Sequence, residues 1–286
     1  MIHLVMFFHS VVSAGTYLAA KRALEELSPF EVALARFTLA GLVFGGLLWV
    51  RRARIARRDL LGLAALGFVA VPLNQGFFLA GLARSTPGHA ALLYALTPVF
   101  VFLLARLRLG ERASALKLAG IAVAFAGVAV VLGARGVVAL GGSPRQLAGD
   151  LMILAAVVAW AVFAVGGKVY AERYGSVVST SAAIVMGTIL YLPVGLALSD
   201  LSRFARVTPL GWASLGYLVL FTSVVAYLLY YWSLARAEAS RVAIWSNLQP
   251  VLTALLAWAI YGEQLTGPFV AGGALVLAGV VLTERG

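Results

Sequence analysis

Ten runs of apolar residues, separated by short charged stretches, occupy most of this chain. Each run is long enough to cross the hydrocarbon core of a bilayer as an α-helix, which takes about 20 residues. Charged residues are only 12% of the 286 residues, about half the share usual in a soluble domain. The sequence therefore predicts an all-α membrane protein with ten transmembrane helices, and it excludes a soluble enzyme or a disordered chain. The predicted spans are residues 2–20, 30–50, 60–82, 89–107, 114–133, 147–167, 177–198, 210–232, 241–260 and 267–283.

The positive charge of the chain follows the loops rather than one continuous face. If the N-terminus is cytoplasmic, 14 of the 22 Lys and Arg residues lie in cytoplasmic loops and seven lie opposite, while Arg36 falls within the second span. Because cytoplasmic loops are enriched in Lys and Arg, this count predicts a multi-pass protein of the cytoplasmic (inner) membrane with both termini in the cytoplasm. The same scatter argues against a nucleic acid partner.

An internal repeat divides the chain into two halves. Residues 82–131 align without a gap to residues 234–283, at an offset of 152, with 18 of 50 positions identical. The sequence thus predicts two five-helix repeats, residues 1–140 and 141–286. Because five is odd, the second repeat must enter the membrane with inverted orientation. Inverted repeats are frequent in secondary transporters, whose substrate sites lie near the midplane between the repeats.

The repeated segment also resembles a known family. The stretch LARSTPGHAALLYALTPVFVFLLARLRLGERASALKLAGIAVAFAGVAVVL, with SAGTYLAAK at 13–21 and LSPFEVALARFTLA at 27–40, resembles the half-repeat of EamA-type drug/metabolite transporters. The resemblance implies ten helices in an inverted repeat, export of small metabolites and no cofactor. Size and an aromatic-rich interior are most similar to an amino-acid exporter of that family, although Ser13 stands where members often carry tryptophan.

Polar residues deep in the spans are the candidate substrate contacts. An unsatisfied polar group in lipid costs several kcal/mol, so these side chains should face the protein interior. At the 152-residue offset Gln75 matches Tyr227 and Tyr94 matches Ser246, so the same positions carry polar groups in both halves. Alternatively, these polar side chains form only hydrogen bonds between neighbouring helices and do not contact substrate. The predicted substrate-binding residues are Asn74, Gln75, Phe78, Tyr94, Thr97, Trp160, Tyr227, Trp245, Ser246 and Asn247.

Pro98 and Pro250 lie near mid-span at matched positions. Proline removes a backbone donor and disrupts the bond to the fourth preceding carbonyl. We predict gating kinks at both, with a static kink as the alternative. His89, near the end of the fourth span, is interpreted as a structural or capping residue.

Two further matched sets have structural interpretations. Short loops at helix ends carry Glu111 and Glu263, which we interpret as turn anchors beside basic neighbours rather than as catalytic groups. Small residues spaced seven apart predict close helix packing. These are Gly120 and Gly127 in the fifth span and Gly272 and Gly279 in the tenth.

Residue types that are missing from the spans argue against several classes of transporter and enzyme. No Asp or Glu lies in the middle of a span, so an antiporter built on a membrane carboxylate would lack its titrating group. Cysteine is absent and only three histidines are present, so we expect no catalytic residues and no metal site. We also expect mid-span cations to be missing, which argues against a carrier of nucleotide sugars or phosphates.

These features predict a secondary transporter that exports small metabolites, amino acids including aromatic ones, by alternating access. Asn74, Gln75, Thr97 and Asn247 would bind the ammonium and carboxylate groups, and aromatic side chains would add cation–π contacts. The alternatives are a multidrug or organic-cation exporter and, more remotely, a membrane-embedded enzyme. The expected partners are the small-molecule substrate and the lipid bilayer, and the expected state is a monomer.

Overall fold

The computed structural model describes residues 1–133, 144–261 and 267–286, and every regular element in these ranges is helical. The helices of the first half are α1 (Ile2–Glu26), α2 (Pro29–Val50), α3 (Arg57–Phe68), α4 (Gly76–Leu82), α5 (Pro87–Tyr94), α6 (Thr97–Leu109) and α7 (Ala115–Gly133). Those of the second half are α8 (Pro144–Tyr174), α9 (Ser176–Ala197), α10 (Pro209–Tyr217), α11 (Tyr227–Leu234), α12 (Ala239–Ala243), α13 (Leu248–Tyr261) and α14 (Gly267–Arg285).

Among the described residues, six continuous helical segments are long and apolar enough to cross a membrane. Two of them, Arg57–Leu82 and Pro209–Leu234, each combine two of the helices named above with the turn that joins them. The six segments coincide with predicted spans one to three and six to eight, and α8 extends beyond its predicted span at both ends. Shorter helices cover the other four predicted spans. The all-helical membrane fold is therefore confirmed, whereas the count of ten crossings and the inverted repeat stay predictions.

Local sequence signals explain where several helices begin and end. Ser28 accepts a hydrogen bond from the Glu31 amide, and the Glu31 side chain accepts one from the Ser28 amide at 2.7 Å, with Pro29 in the first turn. This reciprocal cap and the fixed φ of proline favour a helix start. At the end of α6, Gly110 adopts φ +70°, a left-handed conformation that suits glycine.

The third and eighth spans each contain a π-helical segment. Val69–Gln75 joins α3 to α4, and Leu218–Ala226 joins α10 to α11. Pro72, which cannot donate a backbone hydrogen bond, lies inside the first segment. Such wider turns are uncommon and occur often at functional sites. The first segment ends at Gln75 and the second ends immediately before Tyr227, the residue that the repeat matches to Gln75.

The fourth and ninth spans are interrupted next to the matched prolines. Helix α5 ends at Tyr94 and α6 begins at Thr97, with Pro98 in its first turn. In the second half a 3₁₀ turn, Ile244–Asn247, precedes α13, in which Pro250 is the third residue. Each proline therefore starts a new helix after a break, and a gating role for either remains a prediction.

Helices α7 and α14 pack backbone to backbone. A methyl group added at Gly127 would lie 2.6 Å from the Gly272 carbonyl oxygen, and one added at Gly279 would lie 2.4 Å from the Ala124 amide nitrogen. Such approaches leave no room for a side chain. The predicted close packing of the glycine stripes is confirmed, and it joins the last helix of one half to the last helix of the other.

Large apolar side chains cover the outer surface. Leu42, Trp49 and Leu61 are 70%, 82% and 81% exposed. A water-soluble monomer rarely exposes contiguous apolar patches of this extent, whereas lipid-facing helices do. The outer face of these helices is therefore apolar, as expected of helices that face lipid.

Candidate functional site

A small internal cavity of about 70 Å³ is lined by residues of both halves. Six of its lining residues were predicted from the sequence: Gln75, Phe78, Tyr94, Trp160, Tyr227 and Ser246. Eight others were not predicted as contacts: His9, Ser13, Thr16, Tyr17, Arg36, Thr222, Ala226 and Gln249. The missed residues include four from α1. No contacts were predicted in that helix because Ser13 stands where members of the resembled family often carry tryptophan.

Four predicted substrate residues lie outside this lining. Asn74 is fully buried and donates from Nδ2 to the Ala156 carbonyl at 2.7 Å and to the Tyr94 hydroxyl at 3.3 Å. Trp245 donates from its indole nitrogen to Glu284 at 2.7 Å. Thr97 and Asn247 are fully buried, and their side chains have no hydrogen-bond partner within the described parts of the chain. A role for any of the four in substrate binding remains a prediction.

Two other predictions fall beyond the described part of the chain. The side chain of His89 and all of Glu263 lie outside the described residues. Their interpretations as a capping residue and a turn anchor therefore stay predictions.

Arg36 corrects the expectation that the spans carry no central cation. It lies two turns into α2 and is only 1% exposed. Its Nε donates to the Ser223 hydroxyl and its Nη1 donates to Gln75 Oε1, both at 2.7 Å. These bonds from the interior allow a guanidinium to lie within a membrane-spanning helix. The signal was present in the sequence, because an ionisable residue inside a span is by default a functional candidate.

Gln75 is the centre of the polar network. While its Oε1 accepts from Arg36, its Nε2 donates to the Tyr227 hydroxyl at 3.2 Å and to Asn74 Oδ1. Because Gln75 and Tyr227 occupy matched positions, this bond joins the two halves at equivalent points. Two further bonds also cross between the halves, from Tyr17 to Gln249 Oε1 at 2.8 Å and between the hydroxyls of Thr16 and Thr222 at 2.9 Å.

Aromatic rings form the rest of the wall. On one side Tyr17, Phe78 and Tyr94 meet edge to face, with ring centroids 5.6–6.1 Å apart. On the other side Trp160 lies 5.3 Å from the Tyr227 ring. The edge-to-face arrangement of the first three rings is a favoured geometry for aromatic pairs. The cavity therefore offers ring faces and edges to an apolar or cationic part of a ligand, and hydrogen-bonding groups to a polar part.

Near the chain termini, a buried carboxylate and a lysine of the first half contact the second half. Glu111 is 9% exposed and accepts hydrogen bonds from the Ala239 amide and the Ser240 hydroxyl, both at 2.5 Å. Lys117, which is 1% exposed, contacts Glu238 at 2.7 Å. Glu111 thus anchors the start of α12 in the opposite half, a longer-range contact than the turn anchor predicted from the sequence.

The side chains that line the cavity are of kinds that bind small molecules by non-covalent contacts. No group of three His, Asp or Glu residues within the described ranges is arranged to hold a metal ion. What the site presents is one guanidinium, several hydroxyls and amides, and aromatic rings. This set can bind a small amphipathic solute by several weak contacts.

Comparisons with known proteins identify a family, two relatives and a solved structure of similar fold. The sequence profile of the EamA-like transporter family matches residues 1–133 and 147–285. An uncharacterized transporter of Archaeoglobus fulgidus is 31% identical over 98% of this chain and 96% of its own length. A probable terminal-alkyne amino-acid exporter of Streptantibioticus cattleyicolor is 31% identical over 96% of this chain and 90% of its own length. A crystal structure with 20% sequence identity superposes with a TM-score of 0.81, covering 99% of this chain and 96% of the other.

Proposed function

The chain belongs to the EamA-like transporter family, and we propose that it is a secondary transporter that exports small metabolites, amino acids including aromatic ones, by alternating access. It is a multi-pass membrane protein, and we place it in the cytoplasmic membrane with both termini inside, because 14 of 22 cationic residues then lie in cytoplasmic loops. The two inverted repeats would be residues 1–140 and 141–286, working as a monomer.

The observation that carries the proposal is a cavity lined by polar and aromatic side chains of both halves. Hydrogen bonds cross it at Gln75–Tyr227 and Tyr17–Gln249. Alternating access needs a site whose walls belong to two bodies that rock against each other. Contacts between the halves at Glu111–Ser240 and Lys117–Glu238 would separate when the end near the termini opens.

Amino acids suit the groups that line the cavity. The aromatic walls fit an apolar side chain, and ring faces attract an ammonium group. Hydroxyl and amide groups would complete the bonding of the polar end. The relative in Streptantibioticus cattleyicolor is named as a probable exporter of an amino acid, which supports the same substrate class here.

An exporter of organic cations is the second candidate, favoured by the same aromatic walls. Arg36 opposes it, because a buried guanidinium repels a cation placed in the same small cavity. The absence of Asp or Glu from the middle of the spans also leaves a cation without a counter-charge. The same absence supports a facilitator that runs down the substrate gradient.

Transport by the purified protein tests the proposal. Liposomes that contain the protein are loaded with labelled phenylalanine, leucine or a cationic dye, and release is followed against protein-free liposomes. We expect saturable amino-acid release that unlabelled amino acid on the opposite side accelerates. Release of the dye alone would favour an organic-cation exporter instead. Release no faster than from protein-free liposomes, for every solute, would reject transport.

A further inference from the structure

We propose that Arg36 is the anchor for a carboxylate on the transported solute, so that the cavity selects anionic and zwitterionic compounds and rejects amines that lack a carboxylate. The inference deepens the proposed export function and rests on it. The charge, the free donors and the position of Arg36 all favour a carboxylate on the solute.

The charge balance around Arg36 favours an anionic ligand. Its hydrogen-bond partners, Ser223 and Gln75, are both neutral. Within the described residues it forms no ion pair with Asp or Glu. A buried charge without a counter-ion carries a desolvation penalty of several kcal/mol. Binding of an anion to the cavity would relieve that penalty, whereas binding of an amine would increase it.

The guanidinium of Arg36 also keeps donors for a ligand. A guanidinium carries five N–H donors in a planar fork, and the bonds to Ser223 and Gln75 use one each on Nε and Nη1. The donors on Nη2 and the second donor on Nη1 are not used by these bonds. A carboxylate matches such a pair of parallel N–H groups, and charge-assisted bidentate pairs of this kind are strong and directional.

The position of Arg36 places those donors at the cavity. Arg36 lines it together with Gln75, Tyr94 and Tyr227. Two hydrogen bonds hold its side chain in place, and its guanidinium carbon lies 4.9 Å from the Phe37 ring centroid. The guanidinium is therefore oriented before the solute arrives, which reduces the entropy lost on binding. Aromatic rings on the other walls remain for the rest of the solute.

The repeat does not supply a second charge. Lys21 and Lys168, which close the corresponding first spans of the two halves, lie 147 positions apart. Helices α2 and α9, each 22 residues long, also begin 147 positions apart. At this offset Arg36 corresponds to Ala183. One half alone supplies the charge, so a zwitterion would bind with its carboxylate toward α2.

The test compares phenylalanine with three analogues: its carboxamide, phenethylamine, and 3-phenylpropionate. Binding is measured as the shift in thermal unfolding of the full-length protein in detergent, and each analogue is also tested as a competitor of phenylalanine counterflow. For the wild-type protein we expect phenylalanine to bind about 30-fold more tightly than its carboxamide, as fits a bond to a charged group. Phenethylamine should be bound still more weakly, and 3-phenylpropionate should be retained.

Two variants separate the anchor from general damage. Arg36→Gln removes the charge and should reduce the acid-to-amide preference to about threefold or less. Gln75→Glu keeps the arginine but gives it an internal counter-ion at the position that now accepts from Nη1, so it should also abolish the preference. Arg84→Gln is the matched control, since Arg84 is an exposed arginine that donates to the Ala80 carbonyl outside the cavity.

Each outcome decides one of the two proposals. A wild-type protein that binds the amide as well as the acid, or a Gln75→Glu variant that keeps the preference, overturns the carboxylate anchor while amino-acid export stands. If Arg36→Gln fails to fold, Gln75→Glu still tests the anchor. Release of cationic dye but no amino acid would instead reject the proposed export function, and the binding series would still report on Arg36.

Discussion

The two halves of the chain agree in how their helices are held and differ in what they present to the cavity. Lys21 donates to the carbonyls of Leu82 and Ser85, and Lys168 donates to those of Leu234 and Ala237, which lie 152 residues further on. The same cap thus closes the third and eighth spans. The repeat preserves the contacts that hold the backbone in place.

At the cavity the halves diverge. The first half presents Ser13, Arg36 and Gln75. The matched residues of the second half are Trp160 and Ala183, at an offset of 147 residues, and Tyr227, at an offset of 152 residues. At these three matched positions the first half carries hydroxyl, guanidinium and amide groups, whereas the second half carries two aromatic rings and a methyl group. Among these six residues Arg36 alone is charged. A symmetric scaffold with an asymmetric lining can bind an asymmetric solute in one orientation.

The largest expected effect lies where the halves meet. Gly127→Ala should lower the free energy of unfolding by about 3 kcal/mol, because the new methyl group would overlap the Gly272 carbonyl of α14. Denaturant or thermal unfolding in detergent measures this. Gly45→Ala is the control, since nothing lies within 4 Å of a methyl group at that position. Equal stability of the two variants would show that α7 and α14 do not pack as described.

The matched pair Gln75 and Tyr227 tests the asymmetry. Gln75→Leu should cost about 2 kcal/mol of stability, because it leaves a buried donor of Arg36 without its acceptor. Tyr227→Phe removes only a 3.2 Å bond between neutral groups and should cost about 0.5 kcal/mol. Unfolding of both variants in detergent gives the comparison. Equal losses would mean that Arg36 does not depend on Gln75.

The lysine caps test the symmetry. Lys21→Met and Lys168→Met should each cost about 1.5 kcal/mol, since each lysine donates to two carbonyls at a helix end. The salt bridge from Lys168 to the half-exposed Glu172 adds little. Parallel unfolding curves check the prediction. A large loss for one variant and none for the other would contradict equivalent roles.

The smallest expected effect is the pH dependence of the stability that the contact between Lys117 and Glu238 provides. Burial raises the pKa of Glu238, but the hydrogen bonds and charges of Lys117 and Arg241 together outweigh it and hold the pKa below its ordinary value. A lowered pKa means that the stabilisation is present above the unfolded-state pKa of about 4.3 and is lost as pH falls through the folded-state value.

Because the Glu238 side chain is 41% exposed, solvent screens this contact and the contribution should stay below about 1 kcal/mol. Thermal unfolding is followed between pH 7 and pH 3 for the wild-type protein and Glu238→Gln. The difference between them should shrink as the solution becomes acidic. A difference that does not change with pH would show that Glu238 is not ionised in this contact.

Sequence periodicity and composition were enough for the broad fold. Apolar run length predicted the six long helices, and the spacing of Gly120 and Gly127 predicted the close packing of α7. The matched Pro98 and Pro250 located the breaks in the fourth and ninth spans, because proline acts on the local backbone. Helix length and the breaks at proline depend on neighbours along the chain, and the glycine spacing marks one face of a single helix, so one sequence is enough to show them.

The cavity depended on contacts between distant segments and was predicted in part. Gln75, Tyr94 and Tyr227 were identified as polar or aromatic residues at repeated positions. Arg36 was missed because its acceptors, Ser223 and Gln75, lie on other helices, and an isolated arginine in an apolar run gave no partner to reason from. The contact between Glu111 and Ser240 was missed for the same reason.

Accessibility of the cavity from the two sides of the membrane tests alternating access most directly. The chain contains no cysteine, so Ser13→Cys supplies a single thiol at the cavity wall. A membrane-impermeant maleimide is applied to vesicles of each orientation. Ser202→Cys, in the exposed 3₁₀ turn Leu201–Arg206, serves as the control that should be labelled from one side only. We predict labelling of the Ser13→Cys variant from both sides, slowed by phenylalanine, whereas labelling from one side alone, or from neither, would contradict alternating access.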